Sequence, residues 1–235
     1  MSSTLFQQYD PREGKQVQIL NEKGELTKDA KKFPQMTKDQ QLMAYETMVK
    51  TRVADEWAVS LQRQGRMPTY PINKGQEANV VGALMAVKND DWFVPSYREL
   101  CAYLVRGIPL DQFYLYWFGN ELASQFDKET YHTLPVSVPI GSQLLHAVGI
   151  AYAEKYFKRN RLSISFIGDG GTSEGEFHEA LNFGAVWNTT TIFYIQNNQY
   201  AISCSRKKQT LSKTLAEKAF AYGLEGVQLD GNDIF

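Results

Sequence analysis

The segment 162–200, LSISFIGDGGTSEGEFHEALNFGAVWNTTTIFYIQNNQY, limits the folds open to this chain more than any other. An apolar, β-prone run over 162–167 breaks into Gly168-Asp169-Gly170-Gly171, a strand entering a tight turn. Thr172 or Ser173 can then cap a helix, with Glu176 three residues after Ser173 as a capping-box partner, and Phe177, Leu181 and Ala185 recur at four-residue spacing. A second β-rich run over 190–195 ends at Gln196-Asn197-Asn198. Strand, helix and strand in this order predict a right-handed crossover between parallel strands.

If those strands are neighbours, Asp169 and Asn198 leave the carboxyl ends of chains about 4.8 Å apart, at the edge where open α/β sheets bind ligands. Two hard oxygen ligands then face one point. Gly170 and Gly171 let backbone N–H groups approach an anion, and the start of the next helix adds its positive dipole end. Asp and Asn oxygens suit magnesium, which normally keeps phosphate oxygens and water as well. The implied ligand is a magnesium-bound diphosphate. A dinucleotide fingerprint fits less well, because position 173 is Ser and the following strand ends in Asn-Asn, and no Gly-Lys-Ser/Thr loop supports a P-loop nucleotide site. Asp, Asn and Gly also serve turns for their own reasons, the simplest reading of each residue taken alone.

Gly168-Asp169-Gly170, the 26 residues from Gly171 to Gln196, and then Asn197-Asn198 together resemble the signature of thiamine diphosphate enzymes. The surrounding GDGGTSEGEFHEALNFGAVW and IQNNQYAIS resemble the alpha subunit of the decarboxylating component of 2-oxoacid dehydrogenases, most like that of bacterial pyruvate dehydrogenase, over about Val17 to Phe235. The resemblance implies an α/β fold, a three-layer αβα thiamine diphosphate-binding architecture with a mainly parallel sheet, holding thiamine diphosphate and Mg2+. It implies metal ligation by Asp169, Asn198 and the backbone carbonyl of Tyr200, with Gly170 and Gly171 at the diphosphate. It also implies a diphosphate role for the Tyr97-Arg98 pair. That role suits their chemistry, since a guanidinium fork matches phosphate oxygens and a phenol donates one bond more, although Arg98 could instead pair with a carboxylate such as Glu99. Backbone groups at Val138 and Ile140 would touch the aminopyrimidine ring, with the Ile140 side chain supporting a bent cofactor; by itself the loop reads only as a connection into a helix over 144–157, punctuated by Pro139.

The implied activity is oxidative decarboxylation of pyruvate with transfer of the acetyl unit to a lipoyl group. The implied partners are a beta subunit in an alpha2beta2 heterotetramer and a lipoyl-bearing acyltransferase. Branched-chain 2-oxoacids or acetoin are alternative substrates, and a noncatalytic assembly module is an alternative role. No catalytic acid is assigned to this chain. Its last residues, Asn232-Asp233-Ile234-Phe235, follow directly on an expected strand and turn over 226–231, where alpha subunits of the family continue, so the chain is expected to be C-terminally incomplete.

The remaining residues fit a soluble α/β protein. With 235 residues, 43% of them hydrophobic, there is material for one large domain or a domain with an extension, and a net charge of −1 gives no reason to expect nucleic acid or a membrane surface. Cys101 and Cys204 stand far apart in no Cys-x-x-Cys pattern, which suggests a reducing compartment, and the N-terminus lacks the apolar core of a leader, so a cytoplasmic protein is expected. Residues 1–36 read as a polar extension with a small hairpin strand at 17–20, followed by a domain over 37–235. Thr37 should cap a helix over 38–64 whose Leu42, Met43, Thr47, Met48, Thr51, Val53, Ala54, Trp57 and Leu61 trace an apolar core band. Gly75-Gln76-Glu77-Ala78 resembles the family's helix start, residues 100–116 read as helical core, Arg206-Lys207-Lys208 as a solvated loop, and 214–222 as helix. His132, His146 and His178 are scattered and form no metal or nucleophile set.

Overall fold

Hydrogen-bonded register organises the chain, and a computed structural model describes residues 4–235. Helices α1 (Thr4–Gln8), α2 (Lys38–Arg63), α3 (Glu77–Ala86), α4 (Leu100–Val105), α5 (Leu110–Trp117), α6 (Lys128–Tyr131), α7 (Ser142–Tyr156), α8 (Gly175–Val186) and α9 (Arg206–Gln209) accompany five strands. These are β1 (Trp92–Val94), β2 (Ser163–Gly168), β3 (Thr191–Gln196), β4 (Tyr200–Ala201) and β5 (Cys204–Ser205). The residues group into two units. One holds the chain up to Val17 with Asp91–Ser96 and Ser137–Asp230; the other holds Gln18–Asp90, Tyr97–Val136 and Gly231–Phe235.

In the first unit β1, β2 and β3 form a wholly parallel sheet in that order, and β2 pairs with β3 from Ser163↔Thr191 to Gly168↔Gln196 without a slip. The expected strand, helix, strand segment is therefore a crossover through α8. One face of the sheet carries α7 and α8: Leu144 and Val148 of α7 pack with Ile167 of β2 and Phe177, Ala180 and Leu181 of α8. Two hydrogen bonds fix α7 on the strand, Ser163 Oγ donating to the Ala147 carbonyl at 2.9 Å and Gln143 Nε2 to the Phe166 carbonyl at 2.8 Å. The opposite face bears a row of rings, Phe93, Phe166 and Tyr194, with successive centroids 5.8 and 4.8 Å apart. Because successive side chains alternate across a strand, burial of both Phe166 and Ile167 covers β2 on both faces, as in the middle layer of an α/β sheet. The α/β class and the parallel sheet are as the sequence predicts.

In the second unit α2 starts at a full capping box. The Thr37 Oγ1 accepts from the Gln40 N–H at 3.2 Å, and Gln40 Oε1 accepts from the Thr37 N–H at 2.9 Å. Its buried face shares Thr51 and Ala54 with the expected band and otherwise differs from it. Ala44, Thr51, Ala54, Asp55 and Ala58 are buried, whereas Leu42, Met43, Val53 and Trp57 are 57, 59, 50 and 63% exposed. Small residues let α3 and α4 approach the helix closely, and the larger apolar side chains are left on its other side. Asp55 ties the following loop to α2: its Oδ1 accepts from the Tyr70 hydroxyl at 2.9 Å and the Asn73 N–H at 2.7 Å. Asn73 Oδ1 in turn accepts from the N–H of Leu100, the first residue of α4, at 2.9 Å.

Other local expectations shift. Neither Thr172 nor Ser173 caps α8; Gly170–Ser173 winds into a 3-10 turn, and Glu174 stands at the helix start without a side-chain cap bond. The expected strand at 17–20 reduces to single bridges, Leu20↔Leu26 antiparallel and Val17↔Leu229 parallel, and the latter is all that the expected strand at 226–231 contributes. Residues Ala216–Tyr222 are 3-10 rather than α-helical. Of the N-terminal extension, residues 1–3 lie outside the described set, while Tyr9, Val17, Ile19 and Ala30 are buried.

Phe166 is wholly buried between two ring neighbours, so Phe166→Ala should destabilise the fold by about 3–5 kcal/mol. Urea unfolding followed by circular dichroism measures this, and a loss under about 1 kcal/mol would show that the ring row is not core.

Candidate cofactor site

The parallel ladder ends at Gly168↔Gln196, and the Asp169 N–H still reaches the Gln196 carbonyl at 3.2 Å. Asp169 thus leaves β2 one residue past the last pair and Asn198 leaves β3 two residues past it, both at the carboxyl edge of one sheet. Gln199 then takes a left-handed conformation, φ 75°, which turns the chain into the β4–β5 hairpin with Ile202 and Ser203 at its tip. The Arg206 N–H donates to the Gln199 carbonyl at 2.8 Å, which makes Tyr200 and Ser205 a pair that exchange no hydrogen bonds with each other. The N–H and carbonyl of Tyr200 therefore face away from β5. That N–H donates to Asn198 Oδ1 at 3.2 Å, so the Tyr200 carbonyl lies on the side of the hairpin occupied by the Asn198 amide.

Asp169 is 2% exposed, and its carboxyl is raised above the usual range, foremost by burial; the N–H groups of Asp169 and Gly170, the Gln209 amide and the Arg206 charge act in the opposite direction. The glycines after it are required by close approach. A β-carbon on Gly170 would overlap that of Ala201 in the hairpin, and one on Gly171 would overlap the Ile167 side chain and lie 2.9 Å from Ile140 Cγ2. Ile140 thus meets the turn, on a loop in which Ser142 Oγ donates to the Pro139 carbonyl at 2.9 Å. Val138 is on the same loop with its side chain exposed. Asp169, Gly170, Gly171, Ile140, Asn198 and Tyr200 are accordingly gathered at one sheet edge.

Tyr97 and Arg98 belong to the other unit. There the Arg98 guanidinium donates to the Ile72 carbonyl, while its backbone N–H donates to Glu99 Oε2 at 3.2 Å. Glu99 is 1% exposed and is not a surface partner for the guanidinium. Among the described residues no group of three or more His, Cys, Asp or Glu side chains could hold a metal. One carboxylate, one amide and one backbone carbonyl form a different kind of donor set, all hard oxygens of the type magnesium takes. A buried carboxylate with an amide and a backbone carbonyl at the same edge would suit a magnesium-bound diphosphate.

Three residues at the turn carry no signal in the sequence. Lys218 Nζ donates to the Thr172 carbonyl at 3.0 Å and to Thr172 Oγ1 at 3.3 Å, and its pKa is lowered by burial and then by Arg206. Arg206 is not the solvated residue expected: its guanidinium holds the Ser212 and Lys213 carbonyls at 2.5 and 2.7 Å, whereas Lys207 and Lys208 are exposed. Gln209 Nε2 donates to Asp169 Oδ2 at 3.4 Å. His178 Nδ1 lies 2.6 Å from the Tyr222 hydroxyl, away from any histidine partner.

Residues 45–235 match the family model described as dehydrogenase E1 component. The chain belongs to the dehydrogenase E1 component family. It is 44% identical over 219 residues, 93% of this chain and 59% of the relative, to the 3-methyl-2-oxobutanoate dehydrogenase subunit alpha of Mycobacterium tuberculosis. It is 44% identical over 216 residues, 92% of this chain and 60% of the relative, to the pyruvate dehydrogenase E1 component subunit alpha of Acholeplasma laidlawii. It is 40% identical over 217 residues, 92% and 58%, to the subunit of the same name from Staphylococcus aureus. The chain therefore spans about three fifths of the length of these relatives. The E1 family is thiamine diphosphate dependent, and the α/β fold with its parallel sheet is the fold of that family.

Two outcomes test the turn of this E1 chain. Gly170→Ala should destabilise it by about 1–3 kcal/mol through overpacking, and Ala201→Gly in the same chain should recover most of that loss; additive effects in a double-mutant cycle would refute the contact. Because burial holds the Asp169 carboxyl above its unfolded value, its contribution to stability is full below the ordinary carboxylate range and is lost as pH rises through the folded pKa. Asp169→Asn should therefore melt higher than the parent at pH 7 without cofactor, and the difference should vanish as the pH falls below that range.

Proposed function

We propose that this chain forms the diphosphate-holding part of the alpha subunit of a 2-oxoacid dehydrogenase E1 component, with pyruvate as its substrate. The observation supporting this is the delivery of Asp169 and Asn198 from neighbouring parallel strands to one sheet edge, with the Tyr200 carbonyl on the Asn198 side. In this reading Asp169, Asn198 and the Tyr200 carbonyl hold Mg2+. The N–H groups at Gly170 and Gly171 take diphosphate oxygens. Ile140 and Val138 flank the aminopyrimidine side. When bound, thiamine diphosphate supplies the electron sink for losing carbon dioxide from a 2-oxoacid. The residues of this chain bind and orient; none of them is assigned a proton transfer.

A beta subunit completes the site in an alpha2beta2 assembly, and the acyl group passes to a lipoyl-bearing acyltransferase. The pyruvate assignment is supported by the printed names of the relatives from Acholeplasma laidlawii and Staphylococcus aureus. A second reading, 3-methyl-2-oxobutanoate, is favoured by the Mycobacterium tuberculosis relative at the same 44% identity. A cytoplasmic location accords with two free cysteines and with the finding that, among the described residues, no helix is long and apolar enough to cross a membrane.

Calorimetric titration with thiamine diphosphate and magnesium, with and without the beta subunit, should show binding that drops below detection in both Asp169→Ala and Asn198→Ala. Undiminished binding in either variant would remove that residue from the site. The chain alone should turn over no 2-oxoacid, and the reconstituted pair, assayed against pyruvate, 3-methyl-2-oxobutanoate and acetoin, should prefer pyruvate.

A further inference from the structure

We propose that Gln209 is a positioning residue for the metal, acting through the Asp169 carboxylate; this rests on the cofactor site proposed above. Its placement follows from the hairpin. Ala201 packs against Gly170 so closely that a β-carbon there would overlap it, which seats the β4–β5 hairpin on the turn after β2. Helix α9 starts at the next residue after β5 and is four residues long, so its last residue, Gln209, returns to the same turn. There Nε2 donates to Asp169 Oδ2 and to the Cys204 carbonyl, both at 3.4 Å, and Oε1 lies 3.6 Å from the β-position of Gly170.

The chemistry of the amide suits this place. An NH2 group carries two hydrogens and serves both acceptors at once. Rotating the amide by half a turn would set Oε1 against a carboxylate and a carbonyl, so the two acceptors fix its orientation. An ionised carboxylate offers about four lone-pair positions, so the Gln209 amide and the N–H groups of Asp169 and Gly170 can share it with a cation. A neutral donor also orients the carboxylate without placing a competing positive charge on it. Arg206, on the same helix, has its guanidinium committed to the Ser212 and Lys213 carbonyls and reaches Asp169 only through its field. Hydrogen bonds of this kind, from a residue behind a metal ligand, set the direction in which the ligand presents its free oxygen.

The test is Mn2+ binding to the full chain, with its beta subunit and saturating thiamine diphosphate, followed by electron paramagnetic resonance of the free ion. Gln209→Ala should weaken Mn2+ by about 10–100-fold. Gln209→Met, which keeps the length but not the donor, should weaken it similarly, while melting of the cofactor-free protein stays unchanged. Lys207→Ala, an exposed neighbour on α9, should bind Mn2+ as the parent does. Affinity within about twofold of the parent in both Gln209 variants overturns the proposal, and so does tighter binding, which would mark Gln209 as an occupant of the metal's own place. If the parent itself binds no Mn2+, the proposed cofactor site falls and this role with it; parental binding that the Gln209 variants retain removes this role alone.

Discussion

Six in-register pairs between β2 and β3 support everything at the sheet edge. A parallel ladder has evenly spaced bonds, and a slip of one residue would turn each side chain of a strand to the other face. Such a slip would drive Phe166 toward the place of Ile167 against α7 and α8, put Ile167 in the ring row, and move Asp169 off its place beside the Gln196 carbonyl. Burial on both faces of β2 therefore fixes where the carboxylate ends up. The positions of Asp169 and Asn198 are a by-product of core packing, which is why two short side chains so far apart in sequence can be held at one edge.

The same packing makes the edge electrostatically uneasy. Burial raises the Asp169 carboxyl and lowers the Lys218 amine, so both groups are held where their charged forms are disfavoured. Neither hydrogen-bonds the other in the turn: Lys218 takes the Thr172 carbonyl and hydroxyl, and Asp169 takes the Gln209 amide. A carboxylate left without an ion-pair partner in a buried turn sacrifices stability that an amide or an apolar residue would keep. A bound divalent ion would remove that penalty, because it replaces the lost solvation of the carboxylate with direct coordination.

Much of this was legible in the sequence, and the rest was hidden for physical reasons. The crossover was visible because β-prone runs ending in Gly and Asn punctuate the chain at the right spacing. The core face of α2 was legible at Thr51 and Ala54 and misread elsewhere, where the size of apolar side chains was taken for burial. Close helix packing also selected Ala44 and Ala58 and left Trp57 outside. The turn after β2 was expected to end in a side-chain cap, but Thr172 Oγ1 donates to the Asp169 carbonyl instead and holds the 3-10 winding. Arg206 and Gln209 could not have been singled out, since in a run of basic and polar residues nothing distinguishes one that folds back from one that points to water. Their roles exist only once the Gln199 turn and the hairpin are formed.

What this edge is made of also explains what it leaves open. Its contacts come from backbone groups, glycines and short side chains, which suit the phosphate and cation proposed for it and have no feature that measures a substrate's alkyl group. Relatives whose printed names carry pyruvate and 3-methyl-2-oxobutanoate match this chain at the same 44% identity over nearly all of its length. Telling such substrates apart takes only about 1–3 kcal/mol per methylene, within reach of a few apolar side chains elsewhere in a pocket. A diphosphate site of the kind proposed can thus be shared across the family while selectivity is set by residues that never touch it.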